Sequence, residues 1–149
     1  MRDAAGDPEL ASLLAAAATE PDPLGATAIA GRAAIVALHT AGRLRHPGDR
    51  VAAASLLLQG ERVEEVRLAE RLLLAELKGQ PAARPLAARA FDRLRRLAGQ
   101  PQKFGTEVVA VGERFELWPV DGVTTDSERA KWGIAPLAEL QRLAAGRAR

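Results

Sequence analysis

The chain has 149 residues, 48% hydrophobic and 27% charged, a balance that predicts one soluble globular domain spanning residues 1–149 and burying roughly two-thirds of its unfolded surface. The absence of Cys and the presence of only two His exclude thiol nucleophiles, iron–sulfur clusters and Cys-rich zinc sites; neither a metal nor a cofactor is expected. Lys and Arg number 21 against 19 acidic residues, and 18 of those cations are Arg beside 32 Ala. That pairing reads as GC-rich coding bias rather than as a basic patch, and with 3% aromatics and no Tyr the chain lacks base-stacking platforms, so nucleic acid is not an expected partner.

The start of the chain carries Asp3, Asp7 and Glu9, where a signal peptide would need basic and then apolar residues, and no apolar run approaches the ~20 residues of a membrane span. The expectation is a cytoplasmic protein with no membrane partner. Pro8 suits the first turn of a helix over 9–19, which Glu20-Pro21-Asp22-Pro23 breaks. A second helix runs over 26–41 and stops at Gly42, and Asp49 is placed to cap a third. Val51 to Leu58 is apolar on every face, the mark of a helix surrounded by others. Residues 64–78 and 82–98 form two amphipathic helices joined through Gly79-Gln80-Pro81, a connection short enough for an antiparallel hairpin of helices.

After Gly99 the period changes to that of strands. Residues 106–111 and 114–120 flank Gly112-Glu113, and glycine first in a two-residue loop predicts a type II′ turn. Glu107 then lies opposite Trp118, and Val108, Ala110, Phe115 and Leu117 form an apolar face that packs on helices. Thr125-x-x-Glu128 reads as a capping box, and Pro136 opens a last helix to about Ala145. The fold class is therefore mainly α: a helical bundle of six or seven helices with one β-hairpin near the C-terminal end.

Candidate site residues follow from these elements. On a helical wheel of residues 63–78, Glu70 falls in the middle of an arc of Val63, Val66, Ala69, Leu73, Leu74 and Leu77. It is therefore expected to face the core, as a general acid or base or as a buried paired glutamate. Arg32 and His39 share a face of the second helix and are expected to point inward toward Glu70. Asp92 has Arg89 and Arg96 at ion-pair spacing, a surface arrangement. Glu107 beside the Trp118 indole either lines a pocket mouth or is an ordinary strand carboxylate.

The run Gln102-Lys103-Phe104-Gly105-Thr106-Glu107 resembles a Q-x-(F/Y)-G-T-Q motif of an uncharacterised bacterial family, domain of unknown function 6624. Ala90-Phe91-Asp92-Arg93 is similar to its Asp-Arg pair. Residues 49–72 resemble its Gln-His-Gly and Ala-His-Glu segment, and Pro119 to Arg129 with Trp132-Gly133 and Pro136-Leu137 its C-terminal signature. The resemblance covers roughly residues 49–140. Gln59 and Glu70 stand where the family tends to have His, and Glu107 where it has the final Gln. The family has no established reaction. What the resemblance implies is relatedness and a polar cluster of Gln59, Glu70, Asp92, Arg93, Gln102 and Glu107.

Two functions fit. One is a metal-independent acid–base enzyme of cyclase, isomerase or hydrolase type acting on a small molecule, with Glu70 or Glu107 moving the proton. Arg32 or Arg93 would hold an anionic group there, and His39, Gln59, Asp92, Gln102 and Trp118 would line a pocket between helices and hairpin. The other is a non-catalytic interaction module whose buried polar cluster is structural and whose helix faces bind a protein or a second copy of the chain. A concave pocket with Glu70 or Glu107 in its wall would favour the first; a cluster buried without a cavity would favour the second.

Overall fold

A computed structural model describes residues 6–147, so Asp3 of the acidic start lies outside the described residues. Seven helices and one hairpin follow in the order α1 (Pro8–Ala18), α2 (Ala26–Thr40), α3 (Pro47–Leu57), α4 (Val63–Leu74), α5 (Ala83–Leu97), β1 (Val108–Val111), β2 (Arg114–Leu117), α6 (Asp126–Lys131) and α7 (Leu137–Ala145). The fold is mainly α, as the periodicities predict. The chain divides into two compact units, residues 1–83 and 84–149.

In the first unit the Asp7 carboxylate caps α1, accepting from the N–H groups of Glu9 and Leu10, while Pro8 supplies the fixed φ of the first turn. Asp7 also accepts from Nε of Arg43 at 2.9 Å. Asp49 is not the cap of α3. Pro47, preorganised for the first helical position, starts that helix earlier with His46 at the cap position, and Asp49 in the first turn instead accepts the Asp7 N–H at 2.8 Å. The apolar α3 is the centre of this unit, packed against α1, α2 and α4, with Ala53, Ala54 and Leu57 fully buried.

The buried side of α4 is Glu65, Val66, Leu68, Ala69, Leu72 and Leu73. Leu74 and Val63, which the wheel assigns to the core, are exposed. At 100° per residue the buried arc therefore ends about 40° short of Glu70, which is half-buried at its edge. Helix α4 also ends at Leu74 rather than continuing to 78, and residues 75–79 turn instead.

In the second unit β1 and β2 pair antiparallel with Val108 opposite Leu117 and Val111 opposite Arg114, and the Trp118 N–H donates to the Glu107 carbonyl at 2.9 Å; this is the expected register. Gly112 has φ +63°, and no described non-glycine residue, Glu113 included, has a positive φ, which makes the turn type II′ rather than I′. Helix α7 packs on β2, and Val108 and Leu117 share a hollow with its Leu140, Leu143 and Ala144. Half of the expected capping box forms. Thr125 Oγ1 accepts the Glu128 N–H at 3.1 Å, but the Glu128 carboxylate pairs with Lys103 at 2.9 Å.

Gly105 sits at φ +102°, and a Cβ built on it would lie 3.0 Å from Cδ1 of Leu140. Gly105→Ala is expected to lower the unfolding free energy by about 1–3 kcal/mol, from backbone strain together with the crowding against α7; urea denaturation of both proteins measures it.

Candidate functional site

The densest polar arrangement lies in the second unit and is built around Asp92. Its side chain is 0% exposed, so it is not the surface ion-pair partner of Arg89 and Arg96 that its spacing suggested. On α5, Asp92 lies one turn beyond the fully buried Ala88 and continues that inward face. Its Oδ1 accepts the backbone N–H groups of Lys103 at 2.8 Å and Phe104 at 3.0 Å. Its Oδ2 accepts those of Gly105 at 3.1 Å and Thr106 at 3.0 Å, and the Thr106 hydroxyl at 2.7 Å. Four successive N–H groups of a loop have no ladder to join and need an acceptor. The backbone around Gly105 turns them into a concave donor cradle of the sort that binds anions, and the anion it holds is the chain's own carboxylate.

The residues on either side of this loop fasten the hairpin. Gln102 is fully buried, and its side-chain amide donates to the carbonyls of Glu107 at 2.9 Å and Trp118 at 2.7 Å while accepting the Glu107 N–H at 2.8 Å. Its main chain bridges to the segment beyond β2, donating to the Pro119 carbonyl and accepting from the Asp121 N–H, both at 2.8 Å. The Glu107 carboxylate, 5% exposed, is gripped by two guanidinium groups of α5: Nε of Arg93 to Oε1 and Nε of Arg96 to Oε2, each at 2.9 Å. The Trp118 indole N–H donates to the Gln100 carbonyl at 2.8 Å.

Arg129, 2% exposed, is a member of this network that sequence reasoning left without a role. It donates from Nε to the Phe104 carbonyl at 2.7 Å and from Nη1 to the Thr124 carbonyl at 2.9 Å. The available signal was the i, i+3 spacing from Asp126, whose carboxylate it meets at 3.1 Å. Burial opposes the charge of Asp121, whose side chain meets Thr124. The N–H groups of Val123 and Thr124, the Thr124 hydroxyl and the Lys103 ammonium outweigh that burial and hold the carboxyl below the usual carboxylate range.

In the first unit the buried glutamate of α4 is Glu65, not Glu70. Arg32 points inward as expected, but its charge partner is Glu65, with Nε and Oε1 3.4 Å apart and both side chains under 10% exposed. These are the two buried side-chain polar atoms among the described residues that lack a hydrogen bond. The one hydrogen bond of the Arg32 side chain runs from Nη1 to the Pro23 carbonyl at 2.6 Å. A Cβ at Gly60 would overlap Nε of Arg32 and lie 2.8 Å from Cζ, so the guanidinium occupies space that only glycine leaves. His39 keeps the face of Arg32 but stands in the last turn of α2, exposed, on a hollow of about 420 Å³ shared with Arg62, Glu64, Glu65 and Arg71. Gln59 is exposed rather than internal.

The polar cluster suggested by resemblance thus divides. Asp92, Arg93, Gln102 and Glu107 come together with Trp118, whereas Gln59 and Glu70 belong to the first unit and take no part in the network. Glu70 and Glu107 line none of the described hollows. No group of three or more His, Asp or Glu side chains suited to a metal ion occurs among the described residues.

Two substitutions separate Glu70 from Asp92. Glu70→Gln is expected to change the unfolding free energy by less than about 0.5 kcal/mol, as at an edge position with no buried partner. Asp92→Asn turns an amide NH₂ toward backbone donors and is expected to cost about 3 kcal/mol; chemical denaturation at pH 7 reads both. No protein-family model, curated protein or solved structure matches this chain, and the resemblance drawn from its motifs is carried by the quoted residues alone.

Proposed function

We propose that this protein is a non-catalytic binding module. In this reading the polar residues of the hairpin unit serve the fold, and the hollows and helix faces meet other molecules. The observation that carries it is the saturation of Asp92: both carboxylate oxygens are engaged by five donors from residues 103–106 at zero exposure. A general acid or base needs a lone pair or proton within reach of a substrate, and neither Asp92 nor the doubly gripped Glu107 presents one. Buried polar groups satisfied on every side are instead the usual means of fixing one arrangement of irregular backbone. No described helix is long and apolar enough to cross a membrane.

A second reading, proton-transfer chemistry on a small molecule, has one observation in its favour. Glu65, with an oxygen that lacks a hydrogen bond, lines the same hollow as His39. That pairing would move the chemistry to the first unit and away from Glu70 and Glu107.

Glu107→Gln tests the structural role of the hairpin network on which the proposal rests. If the carboxylate is structural, the variant loses about 2 kcal/mol by leaving two guanidinium groups with a neutral partner, and amide exchange quickens across residues 102–120 with little change in α3 and α4. A variant as stable as the parent or more so would mark Glu107 as a carboxylate retained at a cost for activity and would overturn the proposal.

A further inference from the structure

We infer that the hollow between α1 and α2 is a binding site for a small, uncharged, mostly apolar molecule with one hydrogen-bond acceptor, such as a ketone or ester. This deepens the binding reading given above. The hollow has a volume of about 260 Å³, just under the roughly 300 Å³ at which sites for drug-sized ligands begin. Its walls are small or apolar: Leu13, Ala16 and Ala17 of α1 stand across from Ala28 and Gly31 of α2, with Leu56 of α3. Two facing helices lined with alanine and glycine leave apolar surface uncovered that larger side chains would bury with a gain in stability.

Two charged residues, Arg32 and Glu20, interrupt these walls, and Arg32 is the buried one. Arg32 lines the hollow, is 2% exposed and carries five N–H donors, yet its side chain makes a single hydrogen bond, to Pro23. Its Nε has no acceptor in hydrogen-bond geometry, an expensive state for a buried charged donor. An apolar molecule carrying an acceptor would meet both demands: its hydrocarbon part covers the alanine walls, and its oxygen accepts from the guanidinium.

Charge decides against an anionic ligand. Arg32 is already neutralised by Glu65 at 3.4 Å, and Glu20 lines the same hollow. A carboxylate entering here would add a second buried negative charge to a pair that balances without it, at a desolvation cost that nothing offsets. A neutral acceptor leaves the balance intact.

The test uses the full chain and three probes of similar size, cyclohexanone, methylcyclohexane and cyclohexanecarboxylate, followed through backbone amide shifts in ¹H–¹⁵N NMR. The expected result is saturable binding of cyclohexanone that moves residues 16–17 and 28–32, at least about tenfold tighter than either other probe. Ala17→Leu and Ala28→Leu fill the hollow from opposite helices without touching Arg32, and either, folded, is expected to abolish that binding. The inference is overturned if the carboxylate binds as tightly as the ketone, if no probe produces saturable shifts at those residues, or if both folded leucine variants bind cyclohexanone like the parent. The binding-module reading is judged separately, by the stability of the Glu107 variant, so either can fail alone.

Discussion

The carboxylate of Asp92 is the constraint on which the hairpin unit depends. It gathers four successive N–H groups and one hydroxyl from residues 103–106. The Phe104 peptide inside that loop is held from both directions, its N–H by Asp92 at 3.0 Å and its carbonyl by Arg129 at 2.7 Å. A buried anion and a buried cation thus compensate each other through an intervening peptide instead of by direct contact, and each also satisfies backbone groups that a loop leaves over. With the loop fixed, the residues bounding it, Gln102 and Glu107, are placed to clasp the hairpin: one by five hydrogen bonds of its main chain and amide, the other through two arginines of α5. Phe104 then stacks edge-on to Phe91 at 6.2 Å and tilted against Trp132 at 5.8 Å, which adds aromatic packing to the polar clamp.

Arginine abundance acquires a local meaning from these contacts. In a chain of net charge only +2 the many guanidinium groups make no strong field; the individual groups act as short-range fasteners. Arg43 ties Asp7 and Glu9, and Arg50 joins Glu76 to the carbonyls of Leu44 and Arg45. Arg95 reaches the Pro101 carbonyl at 2.8 Å and lies over the Phe91 ring, and Arg84 covers Trp132. The planar, five-donor fork suits this work better than an ammonium, because it bridges carboxylates and carbonyls at once.

The helices, the proline starts of α1 and α7, the type II′ hairpin and its register were legible in the sequence because each depends on residues close in the chain; the proline start of α3 was not. The site was legible in part. Gln102, Asp92, Arg93 and Glu107 were grouped through their motifs, but spacing alone read Asp92 as a surface ion-pair residue: its partners are backbone N–H groups 11 to 14 residues away, and a helical wheel sees only side chains at i±3 and i±4. The choice of Glu70 over Glu65 was an error of phase. Counting Val63 and Leu74 as core rotated the arc toward Glu70, while the buried set Val66, Leu68, Ala69 and Leu72 centres it near Glu65. His39 shows a different limit: periodicity gives a direction, and burial in the last turn of a helix depends on what stands opposite it. The i, i+3 spacing from Asp126 pairs Arg129 locally, but its burial depends on the tertiary position of the Phe104 carbonyl.

The buried carboxylates differ in one respect that bears on where function resides. Asp92 and Glu107 have both oxygens engaged, and Glu76 is met by Arg50 at 2.6 Å. Glu65 keeps an oxygen without a hydrogen bond, facing an arginine nitrogen in the same condition. Breaking a rule of polar satisfaction costs stability, and a fold that satisfies it elsewhere with such completeness has the means to satisfy it here. Exceptions of this kind concentrate where a protein needs something other than stability. Two of the hollows of the first unit each reach one end of this pair, Arg32 in the wall of one and Glu65 in the wall of the other. A neutral acceptor in the hollow between α1 and α2 would give the under-used Arg32 guanidinium a partner, a spare capacity that the saturated network around Asp92 does not have.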